Sequence, residues 1–429
     1  MDNQSLLAYI QASPTPFHAV SEMRALLDKA GFTSLKEGDE WSLDVGGKYY
    51  VTRNGSSLIA FTLPATGDLL VDSGIRMMGA HTDSPCLKIK PNPDVFKNGF
   101  HQLGVEKYGG VLLNPWFDRD LSLAGRVSYA TKEGVINSTL VDFKNPVAVI
   151  PSLAIHLDRE ANENRTVNPQ LHMPPIMAIV QEQESVSFKG YLAQQLTSQG
   201  LADVDVLDYE ICCYDTQPPA IIGLNAEFIA SARLDNLLSC YVGLQALIDS
   251  NSPVSNLLIC NDHEEVGSTS AVGAHGTFLK SVLERLCTDP RSLSRLIANS
   301  LMISIDNAHG VHPNYADKHD EQHGPMLNGG PVIKVNSSQR YATNSESAAI
   351  YRQICRRLSI PVQSFVVRSD MGCGTTIGPI TAKELGVRTL DIGIPTFAMH
   401  SVRELAGSQD TQYLYQSLIA VCELADLPS

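Results

Sequence analysis

Apolar residues recur along this chain with two periods. Between residues 17 and 30, Val20, Met23, Leu26 and Leu27 form one stripe with Gly31 at its end, which predicts a helix burying a single face. Next, Tyr49-Tyr50-Val51-Thr52-Arg53 and Ser57-Leu58-Ile59-Ala60-Phe61 flank Asn54-Gly55, a pair suited to a tight hairpin turn. From about 92 to 228 the pattern changes. Short β-like pieces at 110–113, 123–129 and 147–155 are separated by Pro, Asn and Asp, and long helical stripes are scarce. Beyond 229, apolar strands alternate with helices: 237–247 predicts a helix, 257–260 a strand, 278–286 a helix, 301–305 a strand, 345–358 a helix, 362–367 a strand and 404–424 a last helix. Alternation of this kind predicts open α/β layers. The expected organisation is an α/β domain split into 1–91 and 229–429, with a β-rich domain of 92–228 inserted between its halves.

Composition narrows the function classes. At 429 residues, 43% of them hydrophobic, the chain exceeds the size at which one core keeps growing, so two domains are expected. Its 32 basic and 46 acidic residues give a formal charge of -14 with no Lys/Arg-rich run, which argues against nucleic acid as a partner. No signal-like start follows Met1 and no uninterrupted apolar run approaches the ~18 residues of a membrane span, so a cytoplasmic protein without membrane partners is expected. Nine scattered cysteines without CxxC spacing read as reduced packing residues rather than a disulfide framework.

Candidate chemistry gathers where predicted strands end. Glu264 and Glu265 follow the apolar run 254–260, and two adjacent carboxylates there are costly unless something positive receives them; a solvated acidic turn is the alternative. His81 follows a mostly apolar stretch and can ligate a metal, with Asp83 near enough to orient its ring, although a loop His and a capping Asp fit the same residues. Asp235 precedes the 237–247 helix as either its cap or a carboxylate bridging two cations. Asp306 ends the 301–305 strand near His309 and His312, and His400 lies before the last predicted helix. Ligands of open α/β sheets bind outside the strands' C-terminal edges, which is where these residues recur. The glycine-rich run 372–378 lacks the GxxxxGK[ST] spacing of a phosphate loop.

Taken together, Gly79-Ala80-His81-Thr82-Asp83-Ser84-Pro85-Cys86, the segments 231–236 and 262–268, Ser304-Ile305-Asp306-Asn307-Ala308-His309-Gly310, 330–336, 374–379 and Ala398-Met399-His400-Ser401 resemble the M18 aspartyl aminopeptidase family over nearly the whole chain, in matching order. That resemblance implies an α/β fold: an α/β/α sandwich metallopeptidase catalytic domain with an inserted β-rich dimerisation domain. It implies two divalent cations, zinc first and Mn2+ or Co2+ as alternatives. Asp235 would bridge them, His81 and Asp306 would serve one, and Glu265 and His400 the other. Glu264 would be the general acid/base and Asp83 an orienting neighbour. The implied substrates are peptides with a free N-terminus, Asp or Glu preferred at the first position. Lys334 would pair with that acidic side chain, although an edge-strand lysine facing water is the ordinary reading of its segment. His156 would reach a neighbouring subunit's site within homodimers assembled into a tetrahedral dodecamer. Two other classes share parts of the pattern: a metal-dependent deacylase or carboxypeptidase-like hydrolase, and a noncatalytic peptide-binding shell.

Overall fold

Four strands lie side by side and parallel: Ser255–Asn261, Ile75–His81, Leu301–Ile305 and Arg388–Gly393. Each is almost wholly buried, as near-continuous apolar runs are when both faces of a parallel sheet are covered. The computed structural model describes residues 1–65, 69–180 and 187–427. It divides into one unit of Met1–Asp83, Pro219–Met399 and Glu404–Ser429, and a second of Ser84–Pro218 with His400–Arg403.

In the first unit the parallel strands form the middle of a sheet with nine strands among the described residues. Thr33–Leu35, Lys48–Arg53 and Ser57–Thr62 extend it on one side, and Val332–Lys334 and Gln363–Phe365 on the other. Successive strand residues point to opposite faces, and the two faces meet different helices. Met78, Ala80, Leu258 and Cys260 pack with the helices Pro16–Lys29, Leu234–Asp249 and Asp410–Cys422. Met77, Leu257 and Ile259 pack with Phe278–Leu286, Pro290–Ala298 and Ile377–Leu385. This is the expected α/β/α sandwich. Fully burying one such Leu or Ile contributes about 1.5–3 kcal/mol, so each layer is anchored by many small terms. The helix Leu234–Asp249 is buried on nearly every side, and its sequence from Leu237 on is mostly apolar, as such a helix requires. A smaller sheet in this unit joins Ala220–Ile222, Phe228–Ser231, Glu404–Gly407, Pro395–Phe397 and Ala308–His309.

The second unit is a six-stranded antiparallel sheet among the described residues, in the order Ile136–Asp142, Leu121–Ala130, Asp205–Asp215, Cys86–Lys97, Phe100–Tyr108, Ile176–Ile179. The helix Phe188–Ser198 sends Phe188, Leu192 and Leu196 into the core that Leu87, Leu123 and Val127 share.

Three element expectations change. Residues 110–113 form no strand; Val111 and Leu113 anchor a loop on the core ahead of the turn Asn114–Trp116. Segment 147–155 pairs only through the isolated bridges Leu121↔Ala148 and Val149↔Ile176, and Pro151 cannot donate to a continuing ladder. The last helix begins at Asp410, because Glu404–Gly407 joins a sheet first. No disulfide links cysteines among the described residues, and no helix among them is long and apolar enough to cross a membrane.

Candidate metal centre

Neighbouring parallel strands bring their C-terminal ends together, and three of those ends carry the candidate donors. His81 closes Ile75–His81, Asp306 follows Leu301–Ile305, and Glu264 and Glu265 form a single turn after Ser255–Asn261. Asp235 arrives from a different direction, at the start of the buried helix Leu234–Asp249, where its N–H donates to Glu404 Oε2 at 2.9 Å. Arg233 and His263, just ahead of Asp235 and Glu264, hold φ of 57° and 64°, a left-handed conformation that costs a non-glycine residue about 1–2 kcal/mol.

His81, Asp83, Asp235 and Asp306 are buried. Facing the carbonyl of Asp83 at 3.0 Å, Nδ1 of His81 is assigned the proton. Its Nε2 then stands 3.5 Å from Asp235 Oδ1 and 3.7 Å from Asp306 Oδ1. Such spacings are long for hydrogen bonds, yet two donors ~2.1 Å from one tetrahedral cation stand ~3.4 Å apart. Donor atoms of His81, Asp235 and Glu265 all lie within 4.8 Å of one another. Burial works against a charge on His81, but Asp235, Asp306 and Asp83 outweigh it and hold the imidazole well above its usual range. A pocket so strongly disposed toward positive charge, lined by one imidazole and several carboxylates, fits one or more divalent cations.

Asp83 also organises the adjacent acids. Its Oδ1 accepts the N–H of Glu264 and its Oδ2 the N–H of Glu265, both at 3.1 Å. Burial pushes the Glu264 carboxyl up to about 8; His81 opposes this, while Asp306, Glu265 and Asp83 add to it.

Lys334 is buried rather than facing water: its Nζ sits 3.4 Å from Asp306 Oδ2 and 5.3 Å from the centre of the Tyr341 ring. His400 belongs to the second unit, with Nδ1 3.2 Å from the carbonyl of Gly110. His156 occupies an exposed turn of that unit between exposed Ile155 and Leu157. Sequence reasoning passed over Glu404, which positions Asp235. Its one signal is an acid at the head of the apolar pair Leu405-Ala406, after Val402-Arg403.

A family model described as aminopeptidase I zinc metalloprotease (M18) matches residues 9–420. A relative from Stutzerimonas stutzeri (strain A1501), named "Probable M18 family aminopeptidase 2", is 59% identical over 427 residues, covering 99% of both chains. Among solved structures, a chain of the cryo-EM structure of the Ape4 and Nbr1 complex superposes with a TM-score of 0.93 at 38% identity, over 97% of this chain and 84% of that one. The S. cerevisiae mApe1 dodecamer gives 0.84 at 30% identity, over 97% and 95%. The chain belongs to the M18 family of metallopeptidases.

Proposed function

We propose that this protein is a cytoplasmic two-metal aminopeptidase that removes the first residue of peptides with a free N-terminus and prefers Asp or Glu there. One observation carries the reading: His81, Asp235, Asp306 and Glu265 converge at the strand ends while Asp83 holds Glu264 beside them. In this reading Asp235 would contribute to holding both of two divalent ions, zinc first with Mn2+ or Co2+ as alternatives. His81 and Asp306 would hold one ion and Glu265 the other, with His400 joining Glu265 on the family resemblance alone. Such cations polarise a peptide carbonyl and ease deprotonation of water. Glu264 takes the proton at its carboxylate and returns it to the departing amine. Asp83 keeps the His81 ring turned with Nε2 inward and fixes the Glu264-Glu265 backbone. Lys334, next to Asp306, supplies a buried ammonium for an acidic side chain. Homodimers within a dodecamer, with His156 serving a neighbouring copy's site, are supported by the dodecameric relative and by the exposed apolar residues around His156.

Initial rates on Asp-, Glu- and Leu-peptides, with an N-acetylated Asp-peptide beside them, test the reading. Activity should vanish with a chelator and return with Zn2+, Mn2+ or Co2+. Dominant Leu cleavage would reject the acidic preference. Comparable cleavage of the acetylated peptide would move the protein to a deacylase or endopeptidase class.

A further inference from the structure

Beside the metal centre lies a 320 Å³ cavity whose walls include His309, Tyr341, Phe365, Cys373, Gly374 and Phe397. Tyr341 connects it to the centre, since its ring faces Lys334, which in turn contacts Asp306. Beneath two of these walls is Asp391, a fully buried carboxylate in the strand Arg388–Gly393. Its Oδ2 accepts the N–H of Ala342 at 2.6 Å and its Oδ1 the hydroxyl of Thr376 at 2.5 Å. The backbone N–H of Asp391 donates to Thr343 Oγ1 at 3.0 Å. Both segments, 341–343 and 374–376, are thus fastened to one residue. In the helix Ile377–Leu385 that Thr376 caps, Gly378 comes so close that a Cβ there would stand 2.3 Å from Asp391 Oδ1. A buried carboxylate is expensive without donors, and here each of its two oxygens receives one of them.

We infer that Asp391 is a positioning residue that clamps the Tyr341 and Gly374 walls together and so sets which first side chain the cavity accepts. The inference rests on the aminopeptidase reading and deepens it. A displaced wall weakens contacts to a side chain that fills the cavity and leaves the peptide-bond chemistry and the metal ligands alone. Small first residues, which do not reach the walls, are insensitive to it.

The test compares KM and kcat for Asp- and Ala-peptides in metal-loaded wild type, Asp391→Ala, Asp391→Asn and Thr376→Val, with metal content and melting temperature measured on each. Asp391→Ala should keep its metal and raise KM for the Asp-peptide by about tenfold or more, as slight misplacement of a contact surface does, with the Ala-peptide changed by less than about threefold. Asn retains one acceptor and a reorientable amide, so Asp391→Asn should fall between wild type and Asp391→Ala. Thr376→Val releases one wall and should shift selectivity the same way by less. An unchanged Asp-to-Ala ratio in Asp391→Ala, or an equal fall for both substrates, overturns the inference. If Asp391→Ala does not fold, an unchanged ratio in Thr376→Val overturns it instead. Failure of the parent reading looks different: wild type itself would lack metal-dependent peptidase activity, and the inference would fall with it.

Discussion

Glu264 and Glu265 carry the same functional group and their backbone N–H groups bond to the same carboxylate, yet only Glu265 shares the 4.8 Å donor cluster with His81 and Asp235. Glu264→Gln should therefore retain metal and lower peptide turnover by about 10²–10⁴-fold, the usual worth of a general acid/base; metal analysis beside a steady-state assay checks both halves, and near-normal turnover would remove Glu264 from its role. At this scale much of the site was legible in the sequence, because His81, Asp306 and the Glu pair each follow an apolar run, and a strand's end can be read from its pattern. What was not legible is orientation. Nothing local to Asp83 says that its two oxygens cap a turn 181 and 182 residues away, and nothing local to Glu404 says that it meets Asp235.

Elements were legible where a local signal agreed with the packing. Asn54-Gly55 turns the hairpin it predicts, with φ of 56° and 67°, and Asn98-Gly99 does the same between Cys86–Lys97 and Phe100–Tyr108, with 52° and 82°. The second pair was an available signal for a long hairpin that the reading of 92–228 as short pieces passed over. The start of the last helix was misread because an apolar stripe runs through Glu404–Gly407 without revealing that these residues pair as a strand. At that helix's true start, Asp410 accepts the N–H groups of Asn328 and Gly330 at 2.6 and 2.8 Å, and burial still pushes its carboxyl up to about 6. A raised folded-state pKa means that the folded chain holds a proton the unfolded chain has lost. This group's stabilisation is complete below about pH 4 and disappears as pH rises through about 6, by at most ~3 kcal/mol. Asp410→Asn removes that dependence, so its melting temperature relative to wild type should climb from pH 4 to pH 7; a flat difference would contradict the assignment.

Across the whole molecule, one buried cation fastens the end of the chain. The Arg76 guanidinium donates to the carbonyls of Ser73, Asn299, Leu424 and Ala425 at 2.7–3.4 Å, and burial pushes its pKa down to about 10. Arg76→Met leaves those oxygens without their donors and should cost about 3 kcal/mol or more; an unfolding midpoint within error of wild type would show that the tether is dispensable. If His156 serves a second subunit, His156→Ala should lower turnover while oligomer size by light scattering and metal content stay unchanged, and full activity in a monomer would refute the shared site. The family and fold class were legible because motifs recur in order along the chain, whereas His156 sits in an exposed turn whose purpose no single chain displays. The donors themselves are spread widely: His81 waits for Asp235, the Glu pair and Asp306, and Asp235 leans on Glu404 from 169 residues further on. During translation, a chain that has left the ribosome only as far as residue 260 holds His81 and Asp235 and none of the later acids. On the proposed ligand set, such a chain would lack the acids the site needs, so the site would be completed only after most of the polypeptide has been made.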